Sequence, residues 1–138
     1  MLMKQRGSIL IEGLISVLIF SVGVLALIGM QAVAIKNAAQ AQYRNDAGLL
    51  ASQILSQIQV DQNNITNYAT DQGSYAPKDA WLEHVANTLP NGNAVITYVD
   101  TAASPRLITI TLNWRAPNEP STDTHQYLIS ASVMPAEN

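Results

Sequence analysis

Lys4-Gln5-Arg6-Gly7-Ser8-Ile9-Leu10-Ile11-Glu12 is the stretch that decides the fold: a short basic leader ends in glycine and runs into aliphatic residues carrying one acid. The 23 residues from Gly13 to Ile35 carry no charge at all. A helix needs about 20 apolar residues to cross a bilayer's hydrocarbon core, so this run predicts a membrane segment. Glu12 lies at its edge, where an ionisable group costs less than the roughly 2.5 to 3.5 kcal/mol of the centre yet still marks a functional candidate. The competing view of Glu12 is a carboxylate that snorkels into water at headgroup level.

Basic residues, Gly, Ser, three aliphatics, Glu and a long apolar helix, in that order, resemble the processing signal of type IV prepilins and their pseudopilin relatives. In that family a membrane-embedded prepilin peptidase cuts after the glycine and methylates the new amino terminus. The resemblance implies a cut between Gly7 and Ser8, N-methylation at Ser8, and Glu12 as the fifth mature residue, acting in subunit assembly. It continues through Ser21-Val22-Gly23-Val24-Leu25-Ala26-Leu27-Ile28-Gly29-Met30-Gln31 and the Ala/Gln-rich stretch ending near Ile58, which is similar to PilV-type minor pilins. Beyond Ile58 it holds only in outline. Ser8 stands where major pilins usually carry Phe, and Gly29 near where many of them place a helix-bending proline; both departures favour a minor subunit.

What the resemblance implies is an α+β type IV pilin fold, a long protruding N-terminal helix packed on a small antiparallel β-sheet. The implied role is a structural subunit that enters the pilus or primes its assembly and contributes to adhesion and twitching motility. Its partners would be prepilin peptidase, other major and minor pilins, the inner-membrane assembly platform and, before assembly, membrane lipid. The protein would sit as a single-pass inner-membrane protein and then in a cell-surface pilus. Two alternatives stay open: a minor pseudopilin of a type II secretion system, and a membrane-tethered binding module.

The residue types have physical reasons of their own. Glycine lacks a side chain, so Gly7 lets a protease approach the backbone and lets the chain leave helical geometry there. Cleavage would leave Ser8 as a free amine one helical turn from Glu12, since residues four apart share a face. Amine and carboxylate attract far more strongly in a water-poor layer than in bulk water. The pair could form within one chain; pairing of Glu12 with the terminal amine of a neighbouring subunit follows from the family alone.

Other accounts of the N-terminus compete. A secretory signal peptide has an apolar core of about 7 to 15 residues and a small-x-small cleavage site, for which Ala32-Val33-Ala34 could serve. The apolar run here is longer and an acid interrupts its start. A plain unprocessed anchor is the other account. Lys4 and Arg6 on one side are matched by Lys36 and Arg44 on the other, so basic residues do not set the orientation. A cytoplasmic N-terminus rests on the prepilin resemblance.

With 138 residues, the part outside the membrane segment suits one domain with one modest core. The formal net charge is -3, and would be -5 once Lys4 and Arg6 left with a leader at residues 1–7. Such a balance argues against a nucleic-acid footprint. The chain has no cysteine, which excludes disulfides, thiolate metal sites and cysteine nucleophiles. Many pilins close a C-terminal loop with a disulfide, so here packing alone must hold the loops.

No proline occurs before Pro77, and the first half of the chain reads as one long helix: a transmembrane and fibre-core half over 8–35 and an amphipathic half over 36–62. In the second half Tyr43, Ala47, Leu50, Ile54 and Ile58 form a single apolar stripe, with Arg44, Asp46, Gln53 and Gln57 between them. The stripe predicts burial against a sheet; it lasts too few heptads for a coiled coil. Residues 63–93 form a connecting region rich in Asn, Thr, Asp and Gly. Within it Pro77-Lys78-Asp79 predicts a helix start capped by Asp79, with Trp81, Leu82, Val85 and Leu89 buried, stopped at Leu89-Pro90-Asn91-Gly92-Asn93. An antiparallel sheet is expected over 94–134. Its strands are Val95 to Val99, Leu107 to Trp114 with Ile108, Ile110, Leu112 and Trp114 on one face, and Tyr127 to Val133 with Tyr127, Ile129, Ala131 and Val133 in phase.

The loop from Ala116 to Thr124, holding Pro117 and Pro120, is expected to be polar and exposed and to offer partner contacts. His84 and His125 stand alone, without acid or histidine neighbours at metal-ligand spacing, and are expected to be partly exposed surface residues. Trp81 and Trp114 are expected to be core anchors. The sequence offers no nucleophile motif, no phosphate loop and no clustered carboxylate site, so no catalytic residue, metal or cofactor is assigned.

Overall fold

The computed structural model describes residues 6–100, 106–117 and 119–133. Uncharged aliphatic sequence followed by the striped segment, without a proline, forms one helix, α1, over Arg6–Val60. The chain divides into two compact units, Met1–Ala39 and Gln40–Asn138. In the first unit every described side chain from Ser8 to Ala38 is exposed; Leu14 at 70% and Phe20 at 72% are typical. Among the described residues this is the one helix long and apolar enough to cross a membrane.

In the second unit the stripe goes inside as its spacing requires. Ala47, Leu50, Ile54 and Ile58 are buried, Ala51 joins them, and Tyr43 packs at the margin. Each fully buried aliphatic side chain contributes about 1.5 to 3 kcal/mol of transfer free energy. The helix ends at Val60, two residues short of the expected boundary. Asp61 leaves helical geometry at φ -107 and ψ 50, and its carboxylate turns to later residues instead.

The connecting region is more ordered than its composition suggests. Gln62–Tyr68 forms a 3-10 helix, η1, in which Ile65 and Tyr68, three apart, both go into the core. Ala76–Thr88 then forms α2, with Pro77 in its first turn, where a missing N–H costs nothing. Asp79 is not its cap. Tyr75 holds the cap position without a side-chain cap bond, and the Asp79 carboxylate accepts a hydrogen bond from Ser74 Oγ, one residue ahead of that cap. Trp81, Val85 and Leu89 are buried and Leu82 partly so. The stop at Leu89–Asn93 turns through Asn91 at φ 50. At Gly92 a Cβ would sit 2.7 Å from Leu89 Cβ and 2.8 Å from the Val85 carbonyl oxygen, so only glycine fits.

Three strands follow: β1 (Asn93–Val99), β2 (Arg106–Trp114) and β3 (His125–Val133). They form one antiparallel sheet in the order β1-β2-β3, with Ile96 opposite Ile110 and Ile110 opposite Ile129. The expected sheet end at residue 134 lies outside the described residues. Ile96, Ile108, Ile110, Leu112, Trp114 and Val133 point to the core, as the period-two pattern requires. The second half of α1 packs on this face. At Gly48 an added Cβ would lie 3.6 Å from Tyr127 Oη, and Trp81 Nε1–H donates to the Leu50 carbonyl at 3.0 Å. The architecture is therefore α+β, a long N-terminal helix packed on a small antiparallel sheet, an arrangement consistent with the type IV pilin fold.

Candidate functional site

Gly7, Ser8 and Glu12 sit on the first turns of α1. The helix already includes Gly7, so the backbone freedom of glycine is not used to leave helical geometry there. A glycine costs about 1 kcal/mol relative to alanine inside a helix, which weakens a first turn without ending it. Ser8 and Glu12 are exposed, and four residues apart they share a face. The Glu12 backbone carbonyl accepts from Ser16 Oγ at 2.8 Å, while its carboxylate has no hydrogen bond or ion pair among the described residues. Around it Ile9, Leu10, Ile11, Leu14 and Ile15 all expose half or more of their surface. One acid therefore stands on a helix surface otherwise suited to lipid or to other apolar helices.

The second unit carries two polar clusters that sequence reading did not find. In the loop after β2 the Glu119 side chain is only 6% exposed. Its carboxylate accepts from Gln40 Nε2 at 2.9 Å and the Ala116 N–H at 3.2 Å, and meets His125 Nε2 at 2.8 Å. The His125 hydrogen bond, more than any other contact, holds the Glu119 carboxyl below the usual carboxylate range. His125 stacks on Trp114 with ring centroids 5.8 Å apart. His125 thus has an acid partner after all, and the loop expected to be polar and exposed is so over Pro120 to Thr124, while Ala116 is buried and Glu119 is tied to Gln40 of α1. Gln40 and Glu119 are 79 residues apart in sequence, so no spacing signal connects them. His84 is exposed, as expected, on a shallow groove with Asp46, Leu49, Gln53 and Thr88.

The other cluster closes the connecting region. Asp61 accepts from Asn64 Nδ2 at 2.8 Å, from Tyr68 Oη at 3.1 Å and from Tyr75 Oη. The Tyr75 bond leads in holding the Asp61 carboxyl low. Burial, then the Asp61 bond, pushes the Tyr68 phenol up strongly. Lys78, 2% exposed, donates to the carbonyls of Ala69 and Gln72, each at 3.2 Å, and of Gly73 at 2.7 Å. An ammonium has three protons, and here each finds a backbone oxygen. No group of three or more His, Cys, Asp or Glu that could hold a metal occurs among the described residues.

No family model, no curated protein and no solved structure matches this chain. The class that can be stated is an α+β protein whose N-terminal helix is able, by length and composition, to cross a membrane.

Proposed function

We propose that the chain is a PilV-like minor type IV pilin, a non-enzymatic structural subunit that enters a pilus or primes its assembly. One observation carries the reading: the succession Gly7, Ser8, a lone Glu12 and a charge-free helix whose side chains remain uncovered by the chain itself. Prepilin peptidase cuts between Gly7 and Ser8 and methylates Ser8. Lipid covers the apolar surface first, and helices of other major and minor pilins cover it after the assembly platform lifts the subunit out of the inner membrane. Transfer between the two covers is close to neutral for aliphatic side chains, because both are apolar. Glu12 supplies direction, since in that layer its carboxylate is best matched by the amine of a neighbouring chain.

The test is the N-terminal mass of the protein recovered from sheared surface fibres. The expected species begins at a methylated Ser8. Intact Met1, or display on filaments of cells without prepilin peptidase, would overturn the reading. Glu12→Ala is expected to be processed normally and to enter fibres poorly; normal incorporation would remove Glu12 from assembly. The pseudopilin alternative shares these residues and separates by phenotype: deletion abolishes protein export rather than twitching and adhesion.

A further inference from the structure

Among the described residues β3 presents an open hydrogen-bonding edge. In β1 the Ile96 carbonyl accepts from Thr70 N–H at 2.9 Å and the Ile96 N–H donates to Thr70 Oγ1 at 3.3 Å, so Ile96 turns its polar backbone groups away from β2. An antiparallel strand directs these groups alternately to its two sides. Ile110, opposite Ile96, therefore turns its groups to β3, and Ile129, opposite Ile110, turns its groups back to β2. By the same alternation Gln126, Leu128, Ser130 and Ser132 direct N–H and C=O out of the sheet. β2 is the sole sheet neighbour of β3, and no backbone hydrogen bond reaches this edge from elsewhere among the described residues. Gln126 to Val133 contains no charge and no proline, the features that natural edges use against pairing.

We propose that this edge pairs antiparallel with β3 of a second copy of the chain, across a two-fold axis at Ile129. The complement of alternating N–H and C=O groups is another extended main chain. Thr70 occupies the middle of the β1 edge, so β3 cannot add to β1 of the next copy, and pairing closes at two. Centring on Ile129 overlaps the whole strand His125–Val133 and engages every outward-directed residue. Leu128 then faces Ser130 of the second copy and Gln126 faces its Ser132. Because the strand from Gln126 onward is uncharged, the two-fold sets no like charges against each other. Tyr127 and Ile129, partly buried at the margin of the core, gain cover from their counterparts. The proposal does not depend on pilus assembly, since it concerns the second unit alone.

The absence of cysteine makes the test direct. Differently tagged full-length chains carrying Leu128→Cys and Ser130→Cys are produced together, extracted in detergent and oxidised mildly. A mixed disulfide dimer is expected in severalfold excess over a control pair of Leu128→Cys with Thr97→Cys, whose second site lies on the outer face of β1. Adding Ser132→Pro, which removes one outward N–H and leaves the β2 ladder intact, is expected to suppress it. Cross-linking no better than the control, or undiminished by the proline, overturns the proposal.

Discussion

Replacing Lys78 by methionine keeps the length and apolar surface of the stem and deletes only the ammonium. Three carbonyls then lose this donor. Gln72 and Gly73 are exposed, so water can reach their oxygens, and the buried Ala69 carbonyl keeps the Gln72 N–H at 3.2 Å. No acceptor is orphaned, so the loss is that of bonds to a charged donor, each worth about 1.5 to 3 kcal/mol before water compensates. Relief of the buried ammonium's own desolvation works in the opposite direction. The balance is a loss of about 1 to 3 kcal/mol, on the order of a 5 to 10 °C fall in Tm for a domain of this size. The assay is thermal unfolding of the full chain in detergent, followed by fluorescence of Trp81 and Trp114. A methionine variant as stable as the parent would refute the view that Lys78 holds the segment between η1 and α2.

Ile54→Ala, at a wholly buried position on the α1 stripe, is expected to cost about 2 to 5 kcal/mol in the same assay. Gly92→Ala drives a methyl into Leu89 and the Val85 carbonyl; a loss of about 1 to 3 kcal/mol is expected, measured by the unfolding midpoint. Asp61 and Glu119 both have carboxyls held below their ordinary range by hydrogen bonds, led by Tyr75 and His125. The unfolded chain therefore binds protons more readily than the folded one. The stability these groups supply is complete above about pH 5, begins to fall as pH approaches the ordinary carboxylate range, and is lost as pH falls through their lowered folded values. In a pH series of melting curves, Asp61→Asn with Glu119→Gln should flatten that acid limb, and an unchanged limb would exclude these two groups as its source.

Sequence by itself determined the long helix, its apolar and striped halves, the strand phases and the fold class. These signals are local: an uncharged run sets membrane length, and periods of 3.6 and two set the buried faces. It also isolated Glu12, because one acid in a charge-free neighbourhood needs no partner to be noticed. Tertiary structure alone decided what the polar residues do. Lys78 and Glu119 would be read as solvated charges, yet one is enclosed by backbone carbonyls and the other strapped to Gln40 across the fold. Asp79 looks like a cap, while Asp61, unmarked by any motif, gathers two tyrosines that follow it in η1 and at the start of α2. Hydrophobic burial follows a period that composition displays, whereas a hydrogen bond depends on two atoms being brought within about 3 Å, and that meeting exists only after the chain has closed on itself.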